Sequence, residues 1–443
     1  MSLLKLYWYV PILILIFVTS ILLTIKLKGI QFRKIFNALK LMLKSNKEGN
    51  GEISSFGALC VSLSATIGTG SIIGVAVAIK IGGPGTLLWM IIFSILSLSI
   101  KYSEGYLAIK YRKIENDFVI GGPFSYIEYG MGKKYRFLSK SYALFGLLAA
   151  TLGIGTMTQS NGITDAFRNT FISSCNTWTN LKISILIGAV IAIISGLVIF
   201  GGTKRITRIC ESVIPLVTVI YIFSILLIIF NNITLLSSSV ELIIKSAFNI
   251  KSFTIGTTNY LFITMIVQGS QKGVFINEAG LGSSAIALSC SKEKDPETQG
   301  LISMGAMLVT TFISILTGIV IVLMCSYTKD LSGINITNDA FINGLTFNPI
   351  ISSLILFICI LFFAITTIIG WSLYGLKCLN YLFNKNKKLE KNYLMIYIIM
   401  VFLGAIIKVD FIWNIADVCN ALMAIPNLIA LIYLSDVISM ETN

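Results

Sequence analysis

Apolar runs of roughly 20 residues, separated by short polar stretches, recur along the whole chain. A run of that length crosses the hydrocarbon core of a bilayer as a helix. Eleven are placed, near 6–25, 55–79, 85–109, 141–168, 183–201, 210–230, 258–289, 299–325, 350–375, 393–407 and 411–435. The pattern predicts an all-α integral membrane protein. Two of the runs are interrupted by glycine and polar residues, SATIGTGSIIGV at 64–75 and VQGSQKGVFINEAGLG at 267–282. Glycine is costly inside a helix, and unwound backbone at membrane depth is tolerated only where protein or a watery cavity surrounds it. Interrupted segments at corresponding places in two halves of a chain point to a transporter's binding site.

Composition agrees: 55% of the 443 residues are hydrophobic and 12% charged, with mean hydropathy +0.86. The net charge of +14 raises the question of nucleic acid, and its distribution answers it. With the N-terminus outside and the runs alternating, 25 of the 34 Lys and Arg fall in cytosolic segments and 8 in external ones. Lys272 lies within the second interrupted run. This split follows the positive-inside rule with a cytosolic C-terminus, so the charge orients the chain and asks for no nucleic acid. The basic, amphipathic KLKGIQFRKIFNALKLMLK (26–44) reads as a helix on the anionic inner leaflet. Residues 1–54 are thus expected to hold one extra helix and this segment. A core follows at 55–435, then a cytosolic tail at 436–443. The abundance of Ile, Lys and Asn suits a bacterium, hence a multi-pass protein of the bacterial plasma (inner) membrane.

The chain contains no histidine. Ser/His proteases, His-ligated zinc or haem sites and His-based proton relays each lose a necessary part. Eight cysteines stand singly without CxxC spacing, so neither disulfides nor a metal cluster are expected. No enzyme, organic cofactor or obligate protein partner is predicted.

Three groups carry candidate chemistry. In the first interruption, Gly68 and Gly70 open the helix. Freed carbonyls suit a hard cation such as Na+, and freed amides suit a carboxylate. The second places Gln268, Gln271, Lys272, Asn277 and Glu278 in mid-span, where ionisable side chains mark function by default. There Gly269 and Phe275 are candidates for touching a ligand, and Lys272 and Glu278 for bracing the helix. In FFAITTIIGWSLYG (362–375), Thr366 and Thr367 are adjacent hydroxyls, and Trp371 shares a face with Thr367. Gln159 is a further polar insertion.

These strings resemble the alanine or glycine:cation symporter family, the sodium:alanine symporters of the amino acid–polyamine–organocation superfamily. Matching stretches include SATIGTGSIIGVAVAIKIGGPG (64–85), KYSEGYLAIKYR (101–112), GGPFSY (121–126), QSN (159–161), GGTKRI (201–206), QGSQKGVFINEAGLGS (268–283), GWSLYG (370–375) and WNIADVCNALMAIPNLIAL (413–431). The resemblance implies a LeuT-type fold of two five-helix inverted repeats, about 55–230 and 258–435. It implies a Na+ site from carbonyls of Ser64, Ile67 and Phe363 with hydroxyls of Thr366 and Thr367. It also implies a substrate carboxylate at the amides around Thr69, Gly70 and Ser71, and a pocket wall of Gln159, Phe275 and Trp371. The chain departs from the family at Ser71, where Asn is usual, and at Lys272 and Ile276, where Arg and Ser are usual. The family's Ser-Thr pair is Thr366-Thr367, and a family Glu is Leu376.

The expected function is Na+-coupled import of a small neutral amino acid, alanine or glycine, by alternating access. Two alternatives stay open: a proton-coupled carrier using Glu104, Glu278 or Asp417, and a non-transporting amino-acid receptor.

Overall fold

The computed structural model describes residues 3–46, 48–115, 118–172, 177–248, 256–407 and 409–442. Side chains are described outside 3–9, 177–178, 256–261, 409–415 and 442. A helix lies at each of the eleven expected runs. By length and composition alone seven described helices can cross a membrane, and a bent pair makes an eighth. Two of the long spans begin at side-chain caps. Pro296 and Pro349 occupy first-turn positions behind Asp295 and Asn348, whose side chains accept from backbone N–H groups of the first turn.

Thr86–Lys110 packs along Pro296–Leu323 and Gly256–Phe275, while Pro349–Phe383 packs against Arg136–Leu152, Met157–Phe171 and Gly202–Asn231. Thr177–Ile199 and Gly202–Asn231 lie at the periphery, leaving Leu186, Leu197 and Phe223 more than 60% exposed. Such faces are at home only against lipid. The polar side chains point inward instead: Lys101, Glu104, Gln159, Glu278 and Thr367 are all buried.

Three findings go beyond the apolar pattern. Short helices, Ile233–Ala247 and Ile334–Gly344, cover the ends of the spans. A two-stranded hairpin, Lys113–Glu115 with Phe118–Ile120, follows the Thr86–Lys110 helix. The run expected at 141–168 is itself broken at 153–156 into Arg136–Leu152 and Met157–Phe171. Gly153 and Gly155 permit that break, and the second sits against Trp371, whose Cβ leaves no room for a side chain there.

At one end of the molecule the backbone just ahead of the first broken helix meets the backbone just after the second. Ile53 bridges Ser291 in parallel, with Ile53 N–H donating to Cys290 O at 3.1 Å and Lys292 N–H to Ile53 O at 2.8 Å. Glu52 pairs with Lys377 and accepts from Val119 N–H at 2.7 Å, tying the hairpin into the same knot.

Candidate functional site

The first broken helix starts at Ser55, capped by the Ser54 hydroxyl, and stops at Thr66. Ile67 leaves helical geometry at φ −85° and ψ 76°, and the chain resumes as a wide turn at Gly70–Gly74 followed by Val75–Gly82, bent by 48°. The break has a steric reason at Gly68. A Cβ there would stand 2.9 Å from both Gln159 Oε1 and Thr367 Oγ1, so only glycine lets these two polar groups reach the opened backbone.

Thr367 Oγ1 lies 2.7 Å from Ser64 O across the helix boundary and 2.8 Å from Phe363 O in its own helix. One hydroxyl and two carbonyls therefore converge from two helices. All three are hard oxygens of the type an alkali cation takes. A single hydroxyl proton serves both carbonyls here. A cation among the three would accept lone pairs from all and leave that proton to turn elsewhere. Thr366 Oγ1 instead donates back to Phe362 O (2.8 Å) or Phe363 O (3.0 Å) within its own helix.

On the amide side of the break, Thr69 N–H and Thr69 Oγ1 both reach Gln159 Oε1 at 3.1 Å. Gln159 is held in turn by Nε2 donating to Ile154 O at 3.0 Å, a carbonyl freed by the 153–156 break. A side-chain oxygen thus occupies the very N–H group expected to receive a carboxylate. Ser71 Oγ turns back to Thr66 O at 3.4 Å.

The second broken helix, Gly256–Phe275, gives way at 276–282 and resumes at Ser283–Ser289. Glu278 adopts φ 52° and Gly282 φ 70°, both left-handed, a conformation that is strained for glutamate. Side chains from neighbouring helices secure nearly every freed group. Lys101 Nζ donates to Asn277 O (2.9 Å) and Glu278 O (3.3 Å). Glu104 Oε1 accepts from Gly280 N–H, Gly282 N–H (both 3.0 Å) and Asn427 Nδ2 (2.8 Å). Tyr142 donates to Leu281 O at 2.9 Å, and Asn277 is held by Thr310 and Gly273 O. Lys101 and Glu104 thus supply much of the bracing of this break, and Glu278 adds to it by accepting from Ser283 in the resumed helix.

Between the two breaks lies a cavity of about 40 Å³. Its lining includes Thr66, Gly68, Gly70, Gln159, Gln271, Lys272, Phe275, Glu278, Asp417 and Asn420. Of the sequence-predicted substrate residues, Gly70, Gln159 and Phe275 meet there. Thr69 and Ser71 are buried just behind it. Trp371 also sits behind the first break, with its indole N–H donating to Ala65 O at 3.4 Å. Gly269 faces away: its Cβ position is 2.6 Å from Trp89 Cβ and 2.8 Å from Thr86 O, so it serves close packing of two helices. Among the described residues no cluster of His, Cys, Asp or Glu can hold a metal ion, and seven cysteines are free. Sequence reasoning weighed Asp417 only as a proton carrier and passed over Asn420. Both stand one turn apart in an apolar span, a spacing that placed them on one face.

The model of the sodium:alanine symporter family matches residues 2–443. An uncharacterised transporter of Haemophilus influenzae is 43% identical, over 98% of this chain and 93% of its own. The sodium/alanine symporter AgcS of Methanococcus maripaludis is 37% identical over 98% and 94% of the two chains. A probable sodium/glutamine symporter, GlnT of Bacillus subtilis, is 34% identical over 98% and 87%. Among solved structures, MhsT in complex with L-phenylalanine superposes with TM-score 0.59 at 12% identity, over 87% of this chain and 97% of that one. A Na+-coupled sialic acid symporter in a substrate-bound outward-open state gives 0.56 at 15%, over 94% and 86%. These likenesses establish the LeuT-type fold.

Proposed function

Given that the chain belongs to the sodium:alanine symporter family, and so is a Na+-coupled amino acid symporter rather than an enzyme, we propose that it imports a small neutral amino acid, alanine or glycine, across a bacterial plasma membrane. In this reading the N-terminus is outside and the C-terminus cytosolic. The repeats run about 55–230 and 258–435.

The observation that carries the reading is the doubly partnered first break. On its carbonyl side, Ser64 O, Phe363 O and Thr367 Oγ1 form the start of a Na+ site, with Ile67 and Thr366 completing it. On its amide side, Thr69 N–H already holds an oxygen, that of Gln159. A substrate carboxylate entering beside Gly70 and Ser71 takes over those donors, and Gln159 swings aside. Both events act on one short unwound segment, so the ion that orders the carbonyls also presents the amides. Such shared ordering is a coupling free energy between two ligands. The cavity has room for about three waters, which favours the smallest side chains.

Uptake of radiolabelled alanine and glycine into proteoliposomes, with and without an inward Na+ gradient, tests the reading. Accumulation above equilibrium only with the gradient is expected. Equal accumulation without Na+ overturns the coupling, and exclusion of both amino acids overturns the substrate class.

A further inference from the structure

An amino acid also brings an ammonium group, with three N–H donors and a positive charge, and it needs acceptors. Most oxygens exposed by the two breaks are already engaged. In the second break, Asn277 O and Glu278 O accept from Lys101, Gly280 O from Asn427 and Leu281 O from Tyr142. In the first, Ser64 O accepts from Thr367, Ala65 O from Trp371, and Thr66 O from Gly68 N–H and Ser71. Ser71 offers one short hydroxyl and spends it there.

Two buried side-chain oxygens in the cavity lining have no donor among the described residues: Glu278 Oε1 and Asn420 Oδ1. The other Glu278 oxygen accepts from Ser283 at 2.5 Å, which fixes the carboxylate in place. The Trp371 indole also faces this carboxylate, but its N–H is directed to Ala65 O. Glu278 sits in strained left-handed backbone, and a buried carboxylate oxygen left without a donor is costly. Strain and an unmet acceptor at one residue are what a preformed ligand contact looks like. The lining charges fit as well: Glu278 and Asp417 against Lys272 leave one formal negative charge facing the cavity.

We propose that Glu278 Oε1 and Asn420 Oδ1 receive the substrate's ammonium group, making this pair the device that selects α-amino acids over analogues lacking the amine. The proposal rests on the amino acid symport reading above. It assigns the two broken helices opposite ends of one zwitterion: the carboxylate to the first, the ammonium to the second and to the Val409–Tyr433 helix.

The test compares alanine with lactate, which carries a hydroxyl in place of the ammonium. Binding of each to the purified full-length protein at saturating Na+ is followed by ligand-induced thermal stabilisation. Glu278→Gln keeps size and an oxygen but removes the charge. It is expected to weaken alanine roughly 10- to 100-fold, the range for losing a charge-assisted hydrogen bond, while lactate is unchanged. Asn420→Ala moves the ratio in the same direction by a smaller factor, and it decides the matter if Glu278→Gln does not fold. The Na+ concentration for half-saturation, measured without amino acid, stays put in both. Wild-type alanine binding in the variants overturns the proposal. So does an equal loss of alanine and lactate, or a shift in Na+ dependence with the alanine preference kept, which marks a cation site instead. If the wild-type protein binds and transports no amino acid, the symport reading fails, and that outcome is separate.

Discussion

The two broken helices solve the same problem in opposite ways. The first exposes backbone that only a few side chains meet: Thr367 and Trp371 on the carbonyls, Gln159 on an amide. The second is strapped by Lys101, Glu104, Tyr142, Asn277 and Asn427, and almost none of its freed backbone is left to move. Unwound backbone in a membrane must be satisfied by something. Where protein does it all, the break is a rigid wall. Where the partners are few and exchangeable, ligands can take their place. The first break is the responsive element, and the second is the frame it is measured against.

The largest effect is expected from cutting the frame. Glu104→Ala leaves two backbone N–H groups and one N–H of the Asn427 side-chain amide buried without their acceptor, a loss of about 3–5 kcal/mol. It should appear as a lowered unfolding temperature of the detergent-solubilised protein, with or without Na+. A fully stable Glu104→Ala protein would erase the distinction between the two breaks.

Next is the responsive element. Thr367→Val keeps the shape and removes the hydroxyl that joins Ser64 O to Phe363 O. The Na+ needed for half-maximal uptake should rise roughly 10- to 100-fold, while the unfolding temperature without Na+ changes little. A large loss of stability with unchanged Na+ dependence would make Thr367 part of the frame instead.

The smallest effect sharpens the contrast between interior and peripheral carboxylates. At the C-terminal end, Lys110 and Tyr106 beside Glu441 hold its carboxyl below the usual glutamate range. A depressed folded value means that this pairing stabilises the protein above the ordinary glutamate range and is lost as pH falls through the folded one. Glu441 is half exposed, so Glu441→Gln should change stability at pH 7 by less than about 1 kcal/mol and flatten the acid limb slightly. Thermal unfolding across pH 3 to 7 measures it.

Both breaks were legible from glycine and polar residues set in apolar runs, and Thr366-Thr367 from adjacent hydroxyls at membrane depth. The partners of those residues were not. Gln159 reaches Thr69 only because the chain breaks a third time at 153–156, and GIG within an apolar run gives a weak signal for that. Lys101 and Glu104 sit in KYSEG near a helix end, where charges usually face solvent. Their inward direction depends on which helix packs alongside. Trp371 does share a face with Thr367, but it packs against Gly155 and donates to Ala65 O, and so stands behind the cavity lining rather than in it. Gly269 looked available for a ligand, and it is consumed by contact with Trp89. Periodicity identifies a face; it does not say what lies opposite.

The short backbone bridge between Ile53 and Ser291 turns two amides into clocks. Ile53 N–H and Lys292 N–H are each locked to the other segment's carbonyl, so their hydrogens exchange with water only when this end of the molecule parts. Deuterium uptake at those two positions therefore counts openings directly, in the resting protein and without any cargo. It gives the opening frequency a number that no transport rate, limited by its slowest step, can supply.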